Sequence, residues 1–389
     1  MRHFSHTIGE GRHLESEVAR EEDPTLRARE IARQAGFGYA LRALREQHLL
    51  EREVARVKAA YEKQLFDAGP FMTEEVWEAF TVIELFHPET ADHCAETYRI
   101  ARGKVERPLL GSDVRFAELF GEEHITLPIF YRACLLHDIG KVDVPYELIA
   151  NTVDDRECAY LLNLHRDDPF VHAALTRSSA SPASDPETLI EELAATGYRP
   201  KDVAPAALLL SQESVRALSG QGIDVNQTLA ELIRPHEAYS ASILASLGFP
   251  EESKLAARHH NYQNLPVETP VTVGGLGVSI DVAEILHLAD VEQAMRAARG
   301  YKPSATALEA MVTLIHHAAR GIVDTGITSV WVRDEIERLY PDGTDRTEAV
   351  QNPSERANLM TVVAFLRENS SIQLGNRAVS VSAPSLRES

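Results

Sequence analysis

Histidines and carboxylates recur along this chain at spacings that suit cations. His137 and Asp138 are adjacent at the end of an apolar run, Phe130 to Leu136, with Gly140 as a backbone break and Lys141 beside them. Glu89 and His93 stand four apart, so on a helix both reach from one face toward one ion. His236, the pair His259-His260 and Asp290 follow, each in or beside a helical pattern. An acid such as Asp290, closing the apolar run Ile280 to Ala289, is costly unless paired or bound to metal. Imidazole and carboxylate together suit first-row divalent ions such as Fe, Mn or Zn. The set exceeds what one tetrahedral ion needs, so two or three ions are expected. A second pair, His316-His317, lies between Thr313-Leu314-Ile315 and Ala318-Ala319 and reads as helix packing. His165 and His172 lie among acidic residues and read as solvated.

The elements that must position these residues read as helices. From about Leu26 to Leu65 the pattern is helical, with Leu50, Val54, Val57, Tyr61 and Leu65 on one face. That face packs on its own domain or, alternatively, forms a homodimer as a short coiled coil. Asp67-Ala68-Gly69-Pro70 breaks the pattern, Thr73 suits a cap, and Pro88 suits the first turn of the helix carrying Glu89 and His93. Residues 151–225 give weaker signals around a Ser/Ala/Pro-rich segment, Ser178 to Pro186, which reads as a flexible loop. Periodicity resumes at Thr228 and stops at Gly248-Phe249-Pro250. The next helix, Glu251 to Arg258, runs into His259. A loop rich in Pro, Val and Gly (265–279) precedes the helix ending at Asp290. A locally basic stretch, Arg296 to Pro303, and a helix from Ala305 to Arg320 come after it.

Composition narrows the class. The 389 residues are 44% hydrophobic, enough for a large core, and carry a formal charge of −20. Such a balance excludes a non-specific binder of nucleic-acid polymers, which needs excess Lys and Arg. A small anionic substrate stays open, because bound cations reverse a local field. Cys94, Cys134 and Cys158 are odd in number and lack CxxC spacing, which favours a reducing compartment. No long apolar run suits a membrane span and the first residues lack a signal-peptide core, so a cytoplasmic protein is expected.

The order H…HD…H…HH…D over roughly residues 75–340 resembles the HD phosphohydrolase superfamily, specifically its HD-GYP branch. Leu135-Leu136-His137-Asp138-Ile139-Gly140-Lys141-Val142 with Val144-Pro145 is similar to the branch's LLHDIGK…VP core. Ala289-Asp290-Val291-Glu292-Gln293-Ala294-Met295 and Arg299-Gly300-Tyr301-Lys302-Pro303 resemble its ADxxDAL…RPYK stretch. Glu89 matches the variant in which a glutamate helps bind a third metal. Two features depart from the branch. Asn261-Tyr262-Gln263-Asn264-Leu265-Pro266 replaces the HHExxDGxGYP signature after His260, and residues 151–225 lengthen the span from HD to the next histidine.

The resemblance implies an all-α HD-domain helical bundle over 73–340, with an N-terminal helical region (1–72), a helical and loop insertion and a C-terminal tail (341–389). It implies a metal-dependent phosphodiesterase for cyclic di-GMP. Asp138 would bridge two ions, His93, His137 and Asp290 would complete one, and His236, His259 and His260 the other. Glu89 would extend to a third, a bridging hydroxide would be the nucleophile, and Lys141, Arg299 and Lys302 would hold phosphate. A different HD phosphohydrolase, acting on another nucleotide or a phosphomonoester, and a catalytically silent metal-bound signalling module are the other readings. The insertion leaves the chain shortly after Asp138 and returns shortly before His236, so it is expected to cap the metal cleft.

Overall fold

The computed structural model describes residues 23–34, 36–65, 69–107, 125–178, 185–195, 198–260, 282–297, 305–340, 352–369, 371–374 and 377–380. The fold is all-α. Among the described residues the one exception is a small antiparallel hairpin, β1 (Ser371–Leu374) with β2 (Arg377–Ser380).

Two helices form the centre. In α4 (Glu74–Phe86) and α17 (Val282–Arg296) most positions are buried, and neither shows a strong polar face. A helix buried on most of its faces must be enclosed by others, and the buried polar groups of α17 must find partners there. Helix α5 (Pro88–Val105) packs against α4, α17 and α6 (Leu127–Leu136), and Pro88 at its first turn fixes the entry from α4. Helices α18 (Ala307–Ala319), α19 (Thr325–Leu339) and α20 (Pro353–Glu368) close the far side.

The N-terminal stretch is three helices, α1 (Pro24–Gln34), α2 (Phe37–Glu46) and α3 (Leu50–Tyr61). Left-handed residues turn the chain between them, Gly36 at φ 77° and His48 at φ 56°. Leu50, Val54, Val57, Tyr61 and Leu65 are buried inside the same chain, so the expected apolar face is used for intrachain packing. One apolar core runs from Ala28 to Leu366, so neither 72 nor 341 separates two cores. Part of the expected tail is structural: Leu359, Val362, Val363 and Leu366 of α20 belong to that core.

The insertion has a core of its own. Helices α7 (Tyr146–Ile149), α8 (Asp155–Leu164), α9 (Pro169–Arg177), α10 (Pro186–Ala195), α11 (Pro200–Val203), α12 (Ala206–Leu209), α13 (Gln212–Gly220) and α14 (Leu229–Ile233) enclose apolar residues from Val144 to Leu229. This unit is slightly wider than 151–225. The loop expected from Ser178 to Pro186 lies outside the described residues over 179–184. His165 and His172 are exposed, as their acidic surroundings imply.

Candidate metal centre

Helix ends deliver the site. His137 follows α6, His236 opens α15 (His236–Ser246) just after α14, and His259 follows α16 (Pro250–Ala256). Their Nδ1 atoms stand 2.9, 2.8 and 2.6 Å from the carbonyls of Cys134, Ile233 and Ala256, three residues back in each case. A carbonyl only accepts, so each Nδ1 carries the proton and donates it. The bonds satisfy last-turn carbonyls that lack intrahelical partners, and they leave each neutral Nε2 as a lone pair. The same arrangement orients histidines that ligate metals. His93, inside α5, has its Nδ1 on the Gln293 side-chain oxygen from α17, which again presents Nε2.

Asp138 is 1% exposed and its two oxygens face different imidazoles. Oδ1 lies 3.3 Å from His236 Nε2 and 3.6 Å from His259 Nε2. Oδ2 lies 3.4 Å from His93 Nε2, 3.5 Å from His137 Nε2 and 2.5 Å from Lys141 Nζ. Asp290 divides similarly: Oδ1 is 2.9 Å from His93 Nε2 and 3.8 Å from His137 Nε2, whereas Oδ2 faces His260 Nδ1 at 3.7 Å. Three sets have ligand atoms within 4.8 Å of one another: Asp138, His236, His259 and His260; His93, His137 and Asp138; His260, His287 and Asp290. These clusters, buried apart from the exposed His260, could hold metal ions.

Two observations test the fit of a cation. His137 Nε2 and Asp138 Oδ1 are buried and make no hydrogen bond, an arrangement that is costly in an apolar interior. His236 Nε2 and His259 Nε2 stand 3.3 Å apart although both Nδ1 protons are committed elsewhere. Two facing lone pairs repel unless positive charge lies between them. Nitrogens sharing one tetrahedral ion, with bonds of about 2.0–2.1 Å, are about 3.3 Å apart. The residues present therefore fit a divalent ion.

Burial and neighbouring charge set the protonation of these groups in opposite directions. Burial opposes ionisation of Asp138, but Lys141 and the surrounding imidazoles outweigh it and hold the carboxyl well below its usual range. Asp290 is also held low, with His93 the main force against burial. Burial pushes His137 down to about 4, so it is a neutral ligand at pH 7. Burial works against protonation of His259 as well, and Asp138 overcomes it and raises that pKa.

Of the expected ligands, His93, His137, Asp138, His236, His259, His260 and Asp290 come together. Glu89 does not join them: it is exposed on the rim of a cavity beside the cluster. Helical spacing puts it on the face of His93, but one turn nearer to solvent. Arg299 and Lys302 lie outside the described residues, as do Asn261 to Pro266. His287 and Gln293 were missed, yet 287, 290 and 293 are spaced by three on α17, a face that Asp290 alone should have drawn attention to. The pair read as helix packing divides: His316 is exposed, whereas His317 stacks on His287 with ring centroids 5.3 Å apart.

The cavity holds about 500 Å³. His93, Lys141 and Gln293 line it on the cluster side, and Asn151, Thr152, Arg199, Lys201 and Asp202 of the insertion line it opposite. No helix among the described residues is long and apolar enough to cross a membrane. Comparisons with protein-family models, with curated proteins and with solved structures found no match.

Proposed function

We propose that this chain is a metal-dependent phosphohydrolase of the HD type, similar to the HD-GYP branch, that hydrolyses a cyclic dinucleotide such as cyclic di-GMP. One observation carries the reading: a buried, ionised Asp138 directs one oxygen to His236 and His259 and the other to His93 and His137. His93, His137, Asp138 and Asp290 would hold one ion, and Asp138, His236, His259 and His260 a second. Imidazole with carboxylate suits Fe or Mn, and Zn is also compatible. Such ions supply Lewis acidity toward a phosphoryl oxygen.

The chain's own residues do the rest. Gln293 and the helix-end carbonyls orient His93, His137, His236 and His259, so these four imidazoles direct Nε2 toward the carboxylates without reorganising. Lys141 lines the cavity while contacting Asp138, which places one positive charge where a phosphoryl oxygen would lie. The volume is in the range that takes a small ligand.

A second reading, an HD phosphohydrolase for another nucleotide or a phosphomonoester, is favoured by the cavity wall. The insertion supplies Arg199, Lys201 and Asp202 there, and the branch's GYP signature is absent from the sequence. Both readings are tested by loading the chain with Mn²⁺, Fe²⁺ or Zn²⁺ and screening cyclic dinucleotides, linear nucleotides and simple phosphate mono- and diesters. Turnover of cyclic di-GMP above the other esters supports the first reading. Preference for a monoester supports the second, and no turnover with any metal rejects both.

A further inference from the structure

Behind the two clusters around Asp138 lies a third, on the side of Asp290 remote from His93. Asp290 commits Oδ1 to His93 and turns Oδ2 to His260 Nδ1 at 3.7 Å. His287, one turn before Asp290 on α17, brings a ring nitrogen within 4.8 Å of the ligand atoms of both. His287 is buried, and its Nδ1 is 2.9 Å from the His259 carbonyl. As with His137, His236 and His259, the carbonyl forces Nδ1 to be the donor and leaves Nε2 as a lone pair. His287 Nε2 is 3.1 Å from Nδ1 of His317, which donates to it and fixes the ring's orientation. His317 comes from α18, which packs directly on α17.

We propose that His260, His287 and the outer oxygen of Asp290 form a third metal site. Two imidazoles and one carboxylate, with a position left for solvent, describe a site for a first-row divalent ion of the Zn²⁺ or Co²⁺ kind. Asp290 then links this ion to its neighbour as Asp138 links the other two. The site lies away from Glu89, so Glu89 is not needed for a third ion. It builds on the two-ion reading above, with which it shares Asp290 and also His260, whose two ring nitrogens reach both ions only as an imidazolate, its ring proton released to solvent.

Metal counting separates the two ideas. The full chain, stripped by chelator, loaded with Co²⁺ and desalted, should hold about three ions. His287→Gln should hold about one fewer, Glu89→Gln should hold as many as the parent, and Asp138→Ala should lose about two. A parent that saturates at two, both lost in Asp138→Ala, overturns the third site and leaves the two-ion reading standing. A single ion, lost in His287→Gln and kept in Asp138→Ala, does the reverse. A third ion lost in Glu89→Gln but retained in His287→Gln also overturns the proposal. Should His287→Gln fail to fold, anomalous difference maps from Co²⁺-soaked crystals of the parent decide the matter. A peak bounded by His260, His287 and Asp290 supports the site, and its absence at full occupancy of the other peaks overturns it.

Discussion

Asp138 performs two tasks that its two oxygens divide. Each faces a separate pair of imidazoles, so replacing it removes the only carboxylate common to the first two clusters. We expect Asp138→Ala to lose about two ions per chain and to abolish hydrolysis, because two-metal chemistry requires both ions. His316→Ala, on an exposed ring, should leave metal content unchanged; elemental analysis of both variants checks the pair. Proton linkage gives an independent test. His137 and His287 are held down to about 4, chiefly by burial, against an unfolded value of about 6.5. Between those values the unfolded chain binds more protons than the folded one. Their contribution is therefore complete above about pH 6.5 and is lost as pH falls toward 4. Asp138 and Asp290, whose pKa values are depressed, act in the same direction at lower pH. Chelator-treated protein should show a Tm that falls steadily from pH 7 to pH 4. A flat or rising Tm over that range would contradict the buried, neutral state of these rings.

At the scale of elements, Gly140 decides how closely two pieces approach. In sequence it reads as a backbone break after His137-Asp138. In the structure the 3-10 turn Ile139–Asp143 presses it against the start of α15, where its N–H donates to Ser240 Oγ at 2.8 Å. A Cβ at Gly140 would collide with the His236 carbonyl and the Ser240 amide, both backbone. The glycine is needed for contact, and the contact places His236 beside Asp138. We expect Gly140→Ala to destabilise the fold by about 1–3 kcal/mol or more, as overpacking does. Metal affinity should weaken as well, through displacement of His236. Denaturant melts and a metal titration measure the two effects, and unchanged values in both would show that α15 yields freely. The same turn reaches the N-terminal helices, because Asp143 Oδ1 accepts from the Phe37 amide at 2.6 Å and caps α2. That tie was not legible in sequence, since nothing local links residue 37 to residue 143. Adjacent pairs such as His137-Asp138 and His259-His260 were legible because chemistry and neighbourhood coincide. His287 was hidden because a histidine inside Ile285-Leu286-His287-Leu288 looks like a core position, and it is one. Its neighbourhood emerges only when the fold brings His260 and His317 against it.

For the whole molecule, the two cores explain where a substrate would sit. The main core carries every residue of the metal clusters, and the insertion folds on its own apolar centre from Val144 to Leu229. Two separately packed units meeting at a metal centre leave a cleft, and the cavity of about 500 Å³ is that cleft. Helical periodicity made the bundle readable. It left the insertion as short patterns, because its helices α7, α11, α12 and α14 have four or five residues and show less than two turns of any repeat. The position of the insertion between Asp138 and His236 was the better signal, and it agrees with the wall formed by Asn151, Thr152, Arg199, Lys201 and Asp202. In a chain of net charge −20, that wall brings two cations, Arg199 and Lys201, to the cavity opposite Lys141. Arg199 is held by Asp202 at 3.0 Å, which fixes its guanidinium at the cavity edge. Neither cation is near the ligand clusters in sequence or on the same core. We therefore expect Arg199→Ala and Lys201→Ala to raise KM for a phosphate ester by about ten-fold each, roughly the loss of one charge-assisted hydrogen bond. Metal content and Tm should stay at the parent values, and kcat should change less than KM. Steady-state kinetics on whichever ester the screen identifies, with metal analysis of the same samples, tests this. Unchanged KM in both variants would make the insertion a surface addition whose charges do not meet the substrate. A loss of metal would mean that the two cores are coupled more tightly than their separate packing implies.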